Sequence, residues 1–330
     1  MKTREIRLAS RPAGMPQAAN FALADAELPA LGEGEVRVRN SWMSVDPYMR
    51  GRMIDAPSYV PPFALGEALQ GGAIGEVIES RAEALPVGTR VQSMLGWREM
   101  AQAPVSAFER LDVIEGVPEQ AYLGVLGMPG LTAWAGLHDV GKLKEGDTVF
   151  VSGAAGAVGS LACQLAVQAH CTVVGSAGSA AKCEWLRGIG VHPVNYKQGD
   201  LIGQVKAAVP RGIDVYFDNV GGEHLEVAMA VARPWARLIE CGMIAQYNAG
   251  GPTHGPSNMT MIIGKRLRLQ GFIVFDFIHK RADFLADVGP RVAAGRIVSE
   301  DTVVDGIERA PQAFLGLFSG ANTGKMLVRL

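Results

Sequence analysis

The residues with the clearest chemical implication are the small ones at positions 152–159, which read SGAAGAVG. They follow a β-branched run and precede an apolar stripe at helical spacing. A strand, a tight turn and a helix start in this order favour binding of a dinucleotide pyrophosphate, because free helix N–H groups and the positive end of the helix dipole attract phosphate. Gly156 would let the backbone approach the phosphates, and Gly159 would let the helix pack closely on the strand. Ala154 replaces the first glycine of the G-x-G-x-x-G pattern, and small-residue turns of this kind also occur in other α/β proteins.

The strand predicted after this turn indicates which dinucleotide is bound. NAD-binding forms of the motif carry an Asp or Glu at the end of that strand, where it holds the ribose 2′-OH. Residues 172–178 read TVVGSAG and contain no acid, while Lys182 follows at the start of the next predicted helix. A 2′-phosphate carries about two negative charges, so both features favour NADPH/NADP⁺. Lys182 has the alternative interpretation of an ordinary solvated helix lysine.

Composition and charge describe a globular chain with no electrostatic preference for nucleic acid. The 330 residues suffice for two domains, 48% are hydrophobic and 19% are charged, and the net charge is −2. No run approaches the ~18 apolar residues of a membrane helix, and the first residues lack the apolar region of a signal peptide. We therefore expect a cytoplasmic enzyme with no nucleic-acid or membrane partner. The four cysteines lack C-x-x-C spacing and are expected to be buried, reduced thiols.

The pattern along the chain changes near residue 126. Before it, short strands such as 35–39 and 75–79 are broken by Gly and Pro, which indicates a β-rich, barrel-like domain. After it, strands alternate with helices, which is typical of a doubly wound parallel sheet. The predicted strands are 148–152, 172–175, 214–218, 237–241 and 268–274, and the predicted helices are 159–170, 180–188, 224–231 and 279–295. The tail after about residue 303, with a loop at 316–325 and a strand at 326–329, has no helix partner and is expected to return to the first domain.

A zinc enzyme is not expected, although a β-rich domain joined to a dinucleotide domain suggests medium-chain dehydrogenases. Catalytic zinc needs Cys, His or carboxylate ligands, usually three. The first cysteine is Cys163 and the first histidine is His138, so the predicted N-terminal domain has neither ligand type. No metal site is predicted.

Several motifs together resemble one family across essentially the whole chain. They are LASRP at 8–12, SVDPYMRGRM at 44–53, LGMPGLTA at 126–133, GAAGAVG at 153–159, DNVGG at 218–222, CGMIAQYN at 241–248 and GK at 324–325. The chain is similar to the zinc-independent medium-chain dehydrogenases/reductases that include leukotriene B4 dehydrogenase/prostaglandin reductase and the plant double-bond reductases. The segments DAPSY at 55–59 and RLRLQGF at 266–272 most resemble the bacterial NADPH-dependent curcumin reductases.

The resemblance implies an α/β fold with a GroES-like β-barrel substrate domain (1–125 and 303–330) and a Rossmann NADPH-binding domain (126–302). It implies that residues 155–158 hold the pyrophosphate, that Lys182 and Tyr196 bind the 2′-phosphate, and that Asn322 closes over the cofactor from the returning tail. The cofactor-binding residues implied in full are Ala155, Gly156, Ala157, Val158, Lys182, Tyr196, Asn219, Cys241, Gly242, Met243, Tyr247, Phe272, Ile273, Val274 and Asn322.

The resemblance also implies a chemistry, the NADPH-dependent reduction of the C=C bond of α,β-unsaturated ketones or aldehydes. The protein must then hydrogen-bond the developing enolate oxygen and provide a route for a proton, for which a neutral tyrosine is suited. Tyr48, Tyr59 and Tyr247 lie in irregular segments and are the candidate catalytic residues, with water as the alternative proton source. Tyr48 could instead plug the barrel, and Tyr247 could hold the nicotinamide ribose and not the substrate. Tyr59 lies in a Pro-rich loop, 57–62, that could be a mobile lid. Gly264 stands where mammalian prostaglandin reductases have a tyrosine, which argues against prostaglandin-type specificity.

Several alternatives stay open at the level of sequence. Arg50 and Arg52 could anchor a substrate carboxylate or pair with local groups. The chain could be a quinone reductase of the same superfamily, or a non-catalytic NADPH-binding protein. A homodimer is expected, as in proteins that this chain resembles, by pairing of the predicted last strand, 268–274, across a two-fold axis.

Overall fold

The computed structural model describes residues 1–251 and 253–330. Its strands are β1 (Lys2–Leu8), β2 (Phe21–Glu27), β3 (Glu35–Ser44), β4 (Ala73–Ser80), β5 (Arg90–Ser93), β6 (Met100–Pro104), β7 (Phe108–Arg110), β8 (Thr148–Val151), β9 (Thr172–Ala177), β10 (His192–Asn195), β11 (Ile213–Asp218), β12 (Ala232–Glu240), β13 (Arg268–Gly271), β14 (Asp301–Asp305) and β15 (Lys325–Arg329). Its α-helices are α1 (Met49–Arg52), α2 (Met128–Ala135), α3 (Ala157–Gln168), α4 (Ala180–Gly188), α5 (Leu201–Ala208), α6 (Glu223–Val231), α7 (Thr260–Lys265), α8 (Arg281–Ala293) and α9 (Ala310–Ser319).

The described residues form two compact units. The first comprises Met1–Leu123, Asp301–Asn322 and Met326–Leu330, and the second comprises Gly124–Glu300 and Thr323–Lys325. The predicted division of the chain into a substrate domain (1–125 and 303–330) and a cofactor domain (126–302) stays a prediction about function.

The first unit is built on β-sheets. β1 and β2 form an antiparallel pair, and a seven-stranded sheet has the order β14-β15-β3-β4-β5-β7 with β6 also paired to β3. Alternating apolar residues of β3 to β6 make one core cluster, which includes Val36, Val38, Val77 and Val91. A second cluster surrounds Trp97, whose ring lies 6.1 Å from that of Phe314 in α9.

The second unit is a doubly wound parallel sheet. Its order is β10-β9-β8-β11-β12-β13, with every neighbouring pair parallel. The chain therefore starts in the middle at β8 and winds outward first one way and then the other, which creates a switch point beside β8. All four residues of β8 are buried, as expected for a central strand covered on both faces. The carboxyl ends of β8, β9, β11, β12 and β13 all open toward one edge of the sheet.

The predicted fold class is confirmed, and each of the five predicted strands of the second unit overlaps an observed one. The predicted loop at 316–325 was wrong over its first four residues, because residues 310–319 form the helix α9. Its buried residues Ala310, Ala313, Phe314 and Leu317 follow helical spacing, and Pro311 is tolerated in the first turn. In the second unit, the strand β10 and the helices α2, α5 and α7 were not predicted.

Two further observations bear on the sequence expectations. Among the helices of the described residues, none is both long and apolar enough to cross a membrane. All four cysteines are free thiols; Cys163 and Cys183 are buried as expected, whereas Cys171 and Cys241 are partly exposed.

Candidate functional site

The turn between β8 and α3 has the geometry of a phosphate site. Helix α3 begins after Gly156 with no side-chain cap and no acidic residue in its first turn. Its first N–H groups therefore carry the positive end of the helix dipole without a carboxylate to neutralise it. A Cβ built on Gly156 would meet a single atom of the described residues within 4 Å, the carbonyl oxygen of Gly153 at 3.2 Å. The side of Gly156 on which a Cβ would stand is therefore little crowded, and the approach of phosphates to this backbone stays a prediction.

Two other glycines shape the same turn. Gly153 has φ +58°, in the left-handed region that favours glycine. The turn therefore needs glycine at position 153, and Ala154 does not have to adopt a left-handed conformation. This explains why an alanine is acceptable at the first position of the glycine pattern. A Cβ on Gly159 would overlap the carbonyl oxygen of Gly153 and lie 2.9 Å from Cα of Ala154. Close packing of α3 on the turn thus requires glycine at position 159, as predicted.

The segment from β9 into the first turn of α4, residues 172–182, contains Lys182 and no Asp or Glu. Lys182 lies in the first turn of α4, where Ser179 caps the helix by accepting a hydrogen bond from its backbone N–H at 3.3 Å. Burial and then the charge of Lys197 lower the pKa of Lys182 below its ordinary value of 10.5. A bound anion would relieve both effects, since it compensates the two positive charges.

Tyr196 is brought to the same place by β10, the strand that the sequence analysis missed. β10 pairs with β9 in parallel, and Tyr196 follows its last residue. A Cβ on Gly178 would lie 2.6 Å from the phenol oxygen of Tyr196, so this hydroxyl reaches the turn after β9. The ring is 36% exposed and packs edge-on against His224 at 5.3 Å. Lys182 and Tyr196 thus both lie close to the end of β9, and their binding of a 2′-phosphate stays a prediction.

The turn after β11 is held by a buried carboxylate, Asp218, which the sequence analysis did not single out. Its Oδ1 accepts hydrogen bonds from the Ser152 hydroxyl at 2.8 Å and from the Tyr216 hydroxyl at 2.7 Å. The same oxygen accepts from the backbone N–H groups of Val220 and Gly221, both at 2.8 Å. Asp218 is fully buried, so this one oxygen fixes the backbone that follows β11.

Asn219 is fixed to the end of β8 by two hydrogen bonds. Its backbone N–H donates to the Ser152 hydroxyl and its side-chain amide donates to the Ser152 carbonyl, both at 2.8 Å. The side chain therefore lies at the sheet edge beside the β8 turn, which is the placement that the resemblance implied.

Backbone hydrogen bonds hold the segment 241–247 against the turn that follows β11. The N–H groups of Cys241 and Gly242 both donate to the Asp218 carbonyl at 3.0 Å. Tyr247 folds back so that its hydroxyl accepts from the N–H of Met243 at 3.2 Å. Burial, Asp218 and Glu240 raise the pKa of the Cys241 thiol to about 12, which keeps it protonated and unreactive.

The last predicted cofactor segments also reach this edge. Residues 272–274 follow β13 and are partly buried, with the ring of Phe272 at 5.9 Å from that of Phe277. The N–H of Gly324 donates to the Ala155 carbonyl at 2.7 Å, so the segment Thr323–Lys325 pairs with the β8 turn. Asn322 directly precedes that segment in the chain.

The first unit brings two of the three candidate tyrosines together. The phenol oxygen of Tyr48 is buried at the start of α1, and burial followed by the charge of Asp46 raises the pKa of Tyr48 above its ordinary value of 10. Tyr59 is 54% exposed, and both phenols act on the Arg52 guanidinium. Tyr48 therefore stays neutral and able to donate at physiological pH, while Tyr59 is open to solvent. Tyr247 belongs to the second unit.

Arg50 and Arg52 have local partners, in agreement with the structural alternative for them. Arg50 donates to the Gly14 carbonyl at 2.8 Å. Arg52 donates to the Pro61 carbonyl at 2.9 Å and to the Gln70 side chain at 2.8 Å, and it lies 4.1 Å from the ring centre of Phe63. The contacts of Arg52 with Pro61 and Phe63 stabilise the loop that carries Tyr59.

No group of three or more His, Cys, Asp or Glu side chains suited to a metal occurs in the part of the chain that the structure describes. The strand order, the uncapped helix and the acid-free end of β9 together define a protein of the dinucleotide-binding, doubly wound class.

Comparison with known proteins identifies the family. Residues 4–111 match the N-terminal domain of oxidoreductase, and residues 157–288 match the family described as zinc-binding dehydrogenase. The NADPH-dependent curcumin reductase of Escherichia coli (strain K12) is 38% identical over 100% of this chain and 97% of its own length. The NADP⁺-dependent 2-alkenal reductase of Nicotiana tabacum is 43% identical over 90% of this chain and 88% of its own.

A solved structure agrees with these relatives. The crystal structure of CurA from Vibrio vulnificus in complex with NADPH has a TM-score of 0.94 and 40% identity, covering 99% of this chain and 98% of that one. The chain belongs to the medium-chain dehydrogenase/reductase family, in the group of NADP-dependent oxidoreductases to which these relatives belong.

Proposed function

We propose that this protein uses NADPH to reduce the C=C bond of α,β-unsaturated ketones and aldehydes. The observation that carries the proposal is the full-length similarity to relatives whose names specify NADP(H) and, as substrates, curcumin and 2-alkenals. Both substrates contain a C=C bond conjugated to a carbonyl group. The geometry of the second unit supports the choice of cofactor, because the end of β9 offers Lys182 in place of a carboxylate.

The chain's own residues fit NADPH at the edge of the parallel sheet. The N–H groups at 155–158 would hold the pyrophosphate, and Lys182 with Tyr196 would bind the 2′-phosphate. Asn219, Cys241, Gly242, Met243, Tyr247 and residues 272–274 would line the nicotinamide end, and Asn322 would close over it. When bound, NADPH supplies the hydride that adds to the β-carbon of the unsaturated carbonyl.

The protein's task in the reaction is to stabilise the enolate that forms and to provide a proton. A neutral phenol donates a hydrogen bond to the carbonyl oxygen, where negative charge builds, and removing such a donor typically costs about 100- to 1,000-fold in kcat. Tyr48 is the first candidate for this donor, because its phenol is neutral at physiological pH and its buried hydroxyl makes no hydrogen bond within the described residues. Tyr59 and Tyr247 are the other candidates, and water is the alternative source of the proton that reaches the α-carbon.

The substrate class is tested by following NADPH absorbance with a linear enone and, separately, with a quinone. We expect consumption of NADPH with the enone and a saturated ketone as product. Consumption with the quinone alone would overturn the proposal in favour of a quinone reductase. No turnover with any enone or quinone, alongside tight NADPH binding, would indicate a non-catalytic NADPH-binding protein.

The donor is tested by replacing Tyr48, Tyr59 and Tyr247 singly with Phe. We expect Tyr48→Phe to lower kcat by about 100-fold or more with little change in the Kd of NADPH. Tyr122→Phe is the matched control, because the buried Tyr122 hydroxyl accepts a hydrogen bond from the N–H of Ile114 at 2.8 Å and has no proposed catalytic role. Full activity in all three variants would assign the proton to water.

The assembly that we propose is a homodimer formed along the outer edge of β13, which pairs with no further strand of the described residues. This strand ends the six-stranded sheet, and large apolar side chains near it are exposed: Trp235 (69%), Ile263 (80%), Phe275 (43%) and Ile278 (53%). Unpaired strand edges and exposed apolar patches of this kind support strand pairing between copies. Light scattering should give twice the 35.0 kDa chain mass, and Ile263→Asp should shift it toward the single-chain value. A single-chain mass for the unmodified protein would contradict the dimer.

We also propose a cytoplasmic location, which the four free thiols support because disulfides are rare in reducing compartments.

A further inference from the structure

A second carboxyl group, that of Glu240, lies beside Asp218 under the proposed nicotinamide end. The parallel register of β11 and β12 places Asp218 directly opposite Glu240. Side chains at paired positions of neighbouring strands point to the same face. Oδ2 of Asp218 and both carboxyl oxygens of Glu240 are buried, and no N–H or O–H of any other described residue donates to them.

The two carboxyl groups need a proton between them. Oδ1 of Asp218 already accepts four hydrogen bonds, which is an environment suited to a carboxylate. A second buried carboxylate next to it would add a like charge in a low-dielectric site, at a high cost in free energy. A protonated Glu240 instead donates its O–H to Oδ2 of Asp218 and satisfies both groups.

We propose that Glu240 is a positioning residue that, in its protonated form, donates a hydrogen bond to Asp218 and thereby holds the backbone at 218–221 and 241–247 in the arrangement that receives NADPH. The connection is direct. Asp218 Oδ1 fixes the N–H groups of Val220 and Gly221, the Asp218 carbonyl fixes those of Cys241 and Gly242, and Glu240 precedes Cys241 in the chain. The inference rests on the proposed function only in taking NADPH as the ligand.

The groups around the pair support the protonated state. Tyr216 faces both carboxyls from β11, Cys241 faces both from the segment after β12, and His224 of α6 faces Asp218. Burial keeps all three neutral, since it raises the pKa of Tyr216 and of Cys241 and lowers the pKa of His224. Burial and the charge of Asp218 raise the pKa of Glu240 from its ordinary value of 4.5 to about 8.

The raised pKa gives the sign of two pH effects. Between pH 4.5 and about 8 the unfolded chain has lost this proton while the folded chain keeps it. Unfolding therefore releases a proton, and the stabilising contribution of the group, complete below pH 4.5, is lost progressively as pH rises to about 8. Above pH 8 the folded protein also ionises, and the two carboxylates repel each other beneath the cofactor site.

The test compares the unmodified protein with Glu240→Gln and Glu240→Met. The Gln amide donates to Asp218 at every pH, whereas Met offers no donor. Glu145→Gln is the matched control, because Glu145 is an exposed residue of the same unit that precedes β8. Two quantities are measured from pH 6 to 9.5: the melting temperature of the cofactor-free protein, and the Kd of NADPH by nicotinamide fluorescence.

The Kd of NADPH for the unmodified protein, divided by that for Glu240→Gln, should rise about tenfold between pH 7 and 9. This is the change expected when binding requires one proton on a group with a pKa of about 8. Taking this ratio cancels the contribution of Lys182, which both proteins share. The melting temperature of the unmodified protein minus that of Glu240→Gln at the same pH should fall between pH 6 and 8 and then level off. Glu240→Met should bind NADPH about tenfold more weakly than Glu240→Gln at all pH values.

A pH profile of Glu240→Gln that follows the unmodified protein in both measurements would overturn the proposal. So would equal NADPH affinity in the Gln and Met variants. If the unmodified protein binds no NADPH at any pH, the proposed function fails, while the melting temperatures still decide whether Glu240 carries the proton.

Discussion

Two ends of one sheet edge differ in both charge and burial. The end of β9 carries Lys182 and Lys197, has no carboxylate and leaves Tyr196 36% exposed. The ends of β11 and β12 carry two buried carboxyl groups, Asp218 and Glu240. In the proposed function the first end presents its charges to a ligand, whereas at the second end the buried Asp218 holds the backbone by hydrogen bonds inside the protein. The two ends of the edge thus differ in the sign of their charged residues and in whether those residues are assigned to the ligand or to the backbone.

The largest effect is expected where the comparison assigns a structural role. Asp218→Ala removes an acceptor of four hydrogen bonds and leaves those donors buried, so the free energy of unfolding should fall by about 3–5 kcal/mol. Chemical denaturation measures it, with the exposed Asp283→Ala in α8 as the control. A loss as small as that of the control would mean that the buried acids do not shape the turn.

At the ligand-facing end the effect should appear in binding and not in stability. Lys182→Met removes the charged hydrogen-bond donor proposed for the 2′-phosphate, and such a donor is worth about 1.5–3 kcal/mol or roughly 10- to 100-fold in the Kd of NADPH. The Kd of NADH and the melting temperature should change little. Lys144→Met, at an exposed lysine before β8, is the control. Equal weakening of NADPH and NADH binding would contradict a 2′-phosphate role for Lys182.

The turn after β8 lies between the two ends, and its close packing is tested by one methyl group. Gly159→Ala forces a Cβ against Gly153 and Ala154, so it should destabilise the protein by about 1–3 kcal/mol. Gly188→Ala, in α4, meets nothing within 4 Å and should be neutral or slightly stabilising. Equal melting temperatures for the two variants would show that α3 can move away from the turn.

The smallest expected effect is a shift in pH dependence at the end of β9. Lys197 contributes to the lowered pKa of Lys182, so Lys197→Met should raise that pKa toward its ordinary value of 10.5. NADPH affinity, measured relative to NADH affinity, falls as pH rises and Lys182 loses its proton. In the variant this fall should begin at a higher pH. An unchanged profile would show that Lys197 does not act on Lys182.

Much of the second unit could be predicted from sequence, because residues close together in the chain determine several of its strands and helices. The β-branched run before residue 152 and the apolar spacing after it determine β8 and α3. The missing acid after residue 172 is equally visible. Helix α9 of the first unit also has a sequence signal, namely apolar residues at positions 310, 313, 314 and 317. The glycine at 316 nevertheless favours a loop in a single sequence. A glycine lowers the helix propensity of its segment, but it does not end a helix whose apolar face is well packed.

The acid pair had no such local signal. Asp218 and Glu240 are separated in sequence by a helix and most of a strand, and they meet only because the parallel register of β11 and β12 places them opposite each other. Tyr196 is similar, since its approach to Gly178 depends on β10, a four-residue strand whose apolar pattern is too short to recognise. Contacts across a sheet depend on register, which a single sequence rarely determines.

The central claim, that this protein reduces the C=C bond of an unsaturated carbonyl compound with NADPH, is tested most directly by tracing the hydride. The protein is incubated with a linear enone and NADPH fully deuterated at C4 of the nicotinamide, and the product is identified by mass spectrometry and NMR. The account predicts the saturated ketone with one deuterium on the β-carbon. An allylic alcohol with deuterium on the former carbonyl carbon would contradict it, as would recovery of unchanged enone.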